Sequence, residues 1–108
     1  MSIEINLADA SGRNYVGKPN GERFRALKKI DTLDQDGTEE LILEFPANVD
    51  GITSSFFVGL FKPSMLVSGS EERFKERLKI VGDNEEIRRC VEHAIHHVFL
   101  TESINGIF

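Results

Sequence analysis

The chain has one cysteine, three prolines, no tryptophan and no apolar run long enough to span a bilayer. A lone Cys90 cannot close an internal disulfide, which removes the secreted disulfide-scaffold class and points to a reducing compartment. Met1-Ser2-Ile3-Glu4-Ile5-Asn6 offers neither a basic stretch nor an apolar core of the kind a targeting leader needs, so a cytoplasmic location is expected. Positive charge is also in short supply. With 13 Lys and Arg against 18 Asp and Glu, the formal charge is −5, and the isoelectric point near 5.2 argues against a dedicated nucleic-acid binder. Gly-x-Gly-x-x-Gly, Walker A, His-Glu-x-x-His and Cys-x-x-Cys patterns are all missing, as are repeats and low-complexity segments.

What remains is an ordinary globular composition, 40% apolar with eight Phe in 108 residues. A chain of this length folds as one domain over residues 1–108, with a core at about 2–100 and an accessible surface of roughly 6,000 Å². One local departure from the acidic balance stands out: Arg13, Lys18, Arg23, Arg25, Lys28 and Lys29 make the first third basic. This reads either as a solvated helix face or as a patch for an anionic partner.

Ile3, Ile5 and Leu7 alternate with polar or small residues, which predicts a strand over 2–7. After a turn at Asp9-Ala10-Ser11-Gly12, Asn14-Tyr15-Val16 is expected to return as a short antiparallel partner, giving an N-terminal hairpin. Asn20 caps a helix over about 20–31, with Phe24, Leu27 and Ile30 on one side. Leu41-Ile42-Leu43-Glu44-Phe45 reads as a central strand covered on both faces and stopped by Pro46. Phe56, Phe57, Leu60 and Phe61 form a helical stripe with Val58 off it, capped by Thr53, Ser54 or Ser55 and expected to end or kink at Pro63.

Ser64–Val67 then reads as a turn. Ser70 caps a short helix, Leu78-Lys79-Ile80-Val81 is a strand, and Asp83 or Asn84 caps a last amphipathic helix to about Leu100. Ile107 and Phe108 are candidates to dock the tail. The predicted fold is α/β, a mixed sheet of about four strands with helices packed on it.

Several of these residues carry a resemblance. Leu41–Phe45, Val49-Asp50-Gly51-Ile52, Thr53-Ser54-Ser55-Phe56-Phe57 and Lys79-Ile80-Val81-Gly82 before a final helix together resemble the STAS-like family, small bacterial relatives of the anti-sigma factor antagonist STAS domains. The likeness spans roughly residues 20–100. It implies a non-enzymatic regulatory module that works by protein–protein interaction and partner switching. It also implies a protein partner in the form of an ATP-using anti-sigma kinase, with no nucleic acid and no membrane. By position Ser54 would be the phosphoacceptor, with Ser55, Thr53 and Asp50 at the contact surface. Thr53 stands where those domains have Asp, and Phe56 stands where they have Gly, a bulk expected to narrow the approach to the helix start.

Independently of any family, a helix N-terminus presents unpaired N–H groups and the positive end of the peptide dipoles. The Thr53–Ser55 cluster therefore reads in three ways: a stabilising cap, a phosphate-switched contact surface, or an anion site for a small ligand or nucleotide. Cys90-Val91-Glu92-His93-Ala94-Ile95-His96-His97 holds every histidine and the cysteine. Glu86, Cys90, His93 and His97 share one flank of the helix, whereas His96 faces the other way. His93 and His97 have metal-ligand spacing, but the chain carries no second ligand cluster, and an amphipathic helix explains them; no cofactor or metal is expected. Catalysis by Ser54 or Ser55 would require a histidine of this last helix to lie alongside.

Overall fold

The computed structural model describes residues 2–7, 14–45, 51–82 and 84–104. Three strands form the sheet: β1 (Ser2–Asn6), β3 (Glu40–Glu44) and β5 (Leu78–Val81). They lie in the order β1-β3-β5 and run parallel, with Leu41 between Ile3 and Leu78, and Leu43 between Ile5 and Ile80. Two short strands, β2 (Asn14–Tyr15) and β4 (Gly51–Ile52), pair with each other in a separate parallel ladder. Among the described residues five helices complete the chain: α1 (Lys18–Leu27), α2 (Ile30–Leu33), α3 (Ser54–Ser68), α4 (Glu71–Arg77) and α5 (Glu85–Ile104). The accessible area of 6270 Å² matches the value expected from mass.

The α/β class holds, while the strand arrangement differs from expectation. Instead of a mixed sheet with an N-terminal hairpin, β1 pairs with β3 and β2 with β4. Tyr15 explains why β2 leaves the sheet. Its ring is fully buried against Phe24, Phe45 and Phe56, with centroids 5.4–5.9 Å away, and its hydroxyl donates to the Leu7 carbonyl at 3.1 Å. Burying that ring requires β2 to stand at the helix starts and not beside β1.

Parallel strands added in sequence order through right-handed crossovers keep their helices on one side, because only a reversal of strand order sends a helix to the other face. The burial alternates accordingly. Ile3, Ile5, Leu41 and Leu43 are buried, whereas Glu4, Lys79 and Val81 are exposed and Ile42 and Glu44 half-buried. The expectation that β3 is covered on both faces is thus corrected to one.

The helix boundaries also moved for identifiable reasons. Gly17, at φ 88°, starts α1 ahead of Asn20, and Pro19 is tolerated in the first turn, where no N–H partner is needed. The expected single helix over 20–31 breaks at Lys29, whose left-handed backbone (φ 56°) turns Ile30 into the core. Pro63 does not end α3, which continues to Ser68, so the turn expected at 64–67 is helix. Proline removes the bond to the Gly59 carbonyl, and one residue on, Arg25 Nη1 from α1 donates to the Leu60 carbonyl at 2.8 Å and to Ser64 Oγ at 2.9 Å, tying this turn of α3 to α1. Ser70 and Asn84 cap α4 and α5 as expected, through bonds from Arg73 N–H and Ile87 N–H. The expected turn at 9–12, the stop at Pro46, the Asp83 cap and the docking of Ile107 and Phe108 fall outside the described residues.

A file of aromatic rings links the layers. Tyr15, Phe24 and Phe56 touch mutually, Phe56 meets Phe57, Phe57 stacks on Phe61 at 6.4 Å, and Phe61 meets Phe74 edge-on at 5.6 Å. Behind it runs a buried polar chain that the sequence did not announce. Arg77 donates to Asp34 Oδ1, to Ser68 Oγ and to the Ser64 and Glu39 carbonyls, while Arg25 bonds Ser64 and the exposed Asp31. Asp34 is 3% exposed, and its Oδ2 has no hydrogen-bond partner, so Arg77 carries its compensation.

Candidate anion site at the start of helix α3

The β2–β4 ladder starts α1 and α3 side by side. Thr53 N–H donates to the Tyr15 carbonyl at 2.9 Å, and Gly17 N–H donates to Thr53 Oγ1 at 3.1 Å. The helices then press together at two glycines, Gly21 against the Phe56 carbonyl and Gly59 against the Lys18 carbonyl. This contact holds Lys18 beside the first turn of α3. On the other flank α5 packs against α3 and brings His93 and His97 to the same place.

Thr53 is the N-cap. Its backbone is extended (φ −136°, ψ 154°), and Oγ1 accepts from Phe56 N–H at 3.4 Å while also bonding Ser55 Oγ at 3.0 Å. With Gly17 it therefore has three neighbours, a structural load that sets Thr53 apart from the two serines. Ser54 is half-buried and Ser55 exposed. Phe56 turns inward and is fully buried, so it does not narrow the approach to the helix start. Phe57 and Phe61 likewise anchor α3 in the core, while half-buried Val58 faces the site. Asp50 lies outside the described residues.

In front of Ser54 and Ser55 opens a cleft of about 330 Å³. Val58, Ala94 and Val98 give it an apolar wall, Lys18 and Lys62 supply ammonium groups, and His93 and His97 supply imidazoles; among the described residues no carboxylate lines it. The first N–H groups of α3, beyond the one Thr53 caps, point out of the same helix end. A second depression of about 370 Å³ shares Lys18, Val58 and Lys62 and carries Glu22 and Asp31 on its far side. Chemically, the first cleft suits an anion: two ammonium groups, imidazole donors, serine hydroxyls and a positive dipole end converge there.

Of the basic residues noted in the first third of the sequence, Lys18 alone among the described ones lines this cleft, and Arg13 lies outside the described residues. Arg23 bonds Asn20 at 3.0 Å, and Arg25 is committed to the interior. Lys62 lies two turns along α3 from the serines, whereas His93 and His97, about 40 residues further along the chain, reach them only because α5 packs against α3. The only hint available was the shared flank of His93 and His97.

His96 points elsewhere, with Nδ1 3.8 Å from Glu71 Oε1, and Cys90 lies outside the cleft lining. Burial, then the neighbouring Glu86 carboxylate, push the Cys90 thiol up from its ordinary range, with Arg89 opposing. Among the described residues no three His, Cys, Asp or Glu side chains are grouped to hold a metal, and no helix is long and apolar enough to cross a membrane. Comparison with protein-family models, curated proteins and solved structures finds no match to this chain.

Proposed function

We propose that this protein is a non-enzymatic regulatory interaction module, resembling the anti-sigma factor antagonist STAS domains, whose working surface is the start of α3. The observation that carries the reading is the cleft in which Lys18, Lys62, His93 and His97 gather around Ser54 and Ser55 at the start of α3. A phosphoryl group on Ser54 adds about −1.5 to −2 charges at a helix N-terminus, where the dipole and the two lysine ammonium groups favour it. The same addition changes the face offered to a partner, here an ATP-binding protein kinase of the anti-sigma type. Ser55 and the cap Thr53 flank the acceptor, and Asp50 precedes them in sequence.

A second reading rests on the size and wall of the cleft. A volume of about 330 Å³ with an apolar side falls within the range of small-ligand sites, so an anionic metabolite or nucleotide is the alternative occupant. Intact-mass analysis and a phosphate-affinity gel on protein from its native host, with Ser54→Ala alongside, separate the two. An added phosphoryl mass lost in the variant supports the switch. Its absence under all growth conditions, with saturable thermal stabilisation by a nucleotide, supports the ligand reading; neither result leaves Ser54 a helix residue beside a surface cleft and refutes both.

A further inference from the structure

Among the described residues the sheet ends at β5, which has β3 on one side only. On its outer side, Arg88 Nη2 donates to the Ile80 carbonyl at 3.3 Å and to the Gly82 carbonyl at 2.9 Å. Those residues share one parity of the strand. Leu78, Ile80 and Gly82 therefore turn their peptide groups outward, while Lys79 and Val81 turn theirs toward β3. Beside this edge a groove of about 240 Å³ separates β5 from α5, walled by Leu78, Ile80, Val91 and Ile95. Open edges are templates for another strand, and proteins commonly shield them with a charged side chain. Arg88 is such a shield, and it is exposed and reaches in from the first turns of α5.

We propose that the β5 edge is a strand-addition surface held shut by Arg88, and that its occupant is β5 of a second copy of this chain. The strand is complementary to itself. Paired antiparallel about Ile80, it sets Ile80 against its own mate and Leu78 against the mate's Gly82, which satisfies the outward peptide groups of both copies. Lys79 falls opposite the mate's Val81, so no like charges meet across the seam. Leu78 and Ile80 lie on the helix side of the strand and extend the apolar wall of the two grooves into one. Val81, 49% exposed on the uncovered face, gains a neighbour. Pairing turns three strands into six, within the usual range for a stable sheet.

Sedimentation velocity over a wide concentration range tests the surface. Wild type is expected to sediment mainly as a monomer and Arg88→Ala to associate at least about tenfold more tightly, with Arg88→Gln as a second variant and circular dichroism confirming that both fold. The register is tested by disulfide trapping in a Cys90→Ser background. Mixing Lys79→Cys with Val81→Cys should give a covalent heterodimer, because that pair lies at about 4.5 Å between Cα atoms. Neither variant alone should crosslink, since its own mate is beyond the roughly 7 Å limit. Wild-type sedimentation of both Arg88 variants, as expected if the edge receives a different protein's strand or none, overturns the proposal, as does a heterodimer no more abundant than the homodimers.

Discussion

Adding a single methyl group at the α1–α3 crossing should damage the fold more than most core truncations of similar size. An ideal Cβ at Gly21 sits 2.0 Å from the Phe56 carbonyl oxygen and 2.8 Å from the Leu60 nitrogen; at Gly59 it sits 2.1 Å from the Lys18 carbonyl oxygen and 2.9 Å from the Glu22 nitrogen. The atoms in the way are backbone, so no side chain can rotate to make room, and the helices must separate by more than an ångström. Overpacking of this kind costs about 1–3 kcal/mol, here toward the top of that range. Alanine returns about 1 kcal/mol in helix propensity. A net loss of about 2 kcal/mol follows for Gly21→Ala and for Gly59→Ala, or about 8–16 °C in Tm. Because either variant separates the same pair of helices, the second Cβ meets a gap already opened. The double variant should therefore lose at least about 1 kcal/mol less than the sum. Urea melts followed by far-ultraviolet circular dichroism measure all three, with Glu22→Ala on the exposed side of α1 as a control expected within about 0.5 kcal/mol of wild type. Stabilisation by about 1 kcal/mol in the single variants, the propensity term alone, would refute the close approach, and strict additivity would refute the shared-gap argument.

Other consequences follow from particular contacts. Thr53→Ala removes the cap of α3 and the bond from Gly17, and should cost about 1–2 kcal/mol in chemical melts, whereas Thr53→Ser retains most of it; equal loss in both would mean the hydroxyl is not the cause. Arg77→Ala leaves Asp34 buried with no compensating charge and should cost about 3–5 kcal/mol, while the pair Asp34→Leu with Arg77→Met recovers most of that. A double variant as unstable as Arg77→Ala would contradict this. The Cys90 thiol, raised by burial and Glu86, should alkylate more slowly at mildly alkaline pH than the same cysteine in unfolded protein, and Glu86→Gln should move its pH midpoint down. The sign for stability is fixed by linkage: a raised thiol contributes stability below the unfolded-state pKa that is lost as pH rises through the folded-state value, so Cys90→Ala should flatten the alkaline limb of the stability curve.

Periodicity revealed most elements of this fold but not their neighbours. The alternation of Ile3 and Ile5, the apolar run at 41–43 and the caps at Thr53, Ser70 and Asn84 are local signals, and each marks the element expected. Pairing is not local. Nothing near Asn14 and Tyr15 shows that they join Gly51 and Ile52, because the decision is made by burying the Tyr15 ring among Phe24, Phe45 and Phe56. Pro63 misled for a related reason, since α3 around it is held by packing and by Arg25, 38 residues away, which bonds the Leu60 carbonyl and Ser64 Oγ. At the candidate site, Ser54 and Ser55 were legible as a helix start, whereas their company was not. Lys18 depends on the two glycine contacts, and His93 and His97 depend on α5 packing against α3. The Asp34–Arg77 pair left no sequence trace, because a turn acid and a helix-end arginine both look like ordinary surface charges.

Whether the start of α3 and its cleft receive a phosphoryl group or another anion can be read from an amide-resolved NMR titration of the protein with inorganic phosphate and with ATP, repeated on Lys18→Glu/Lys62→Glu. Saturable shifts are expected, centred on the Ser54 and Ser55 amides and on His93 and His97, lost in the double variant while the spectrum otherwise keeps its dispersion. Shifts that do not saturate, that centre elsewhere, or that persist in the variant would contradict an anion site there.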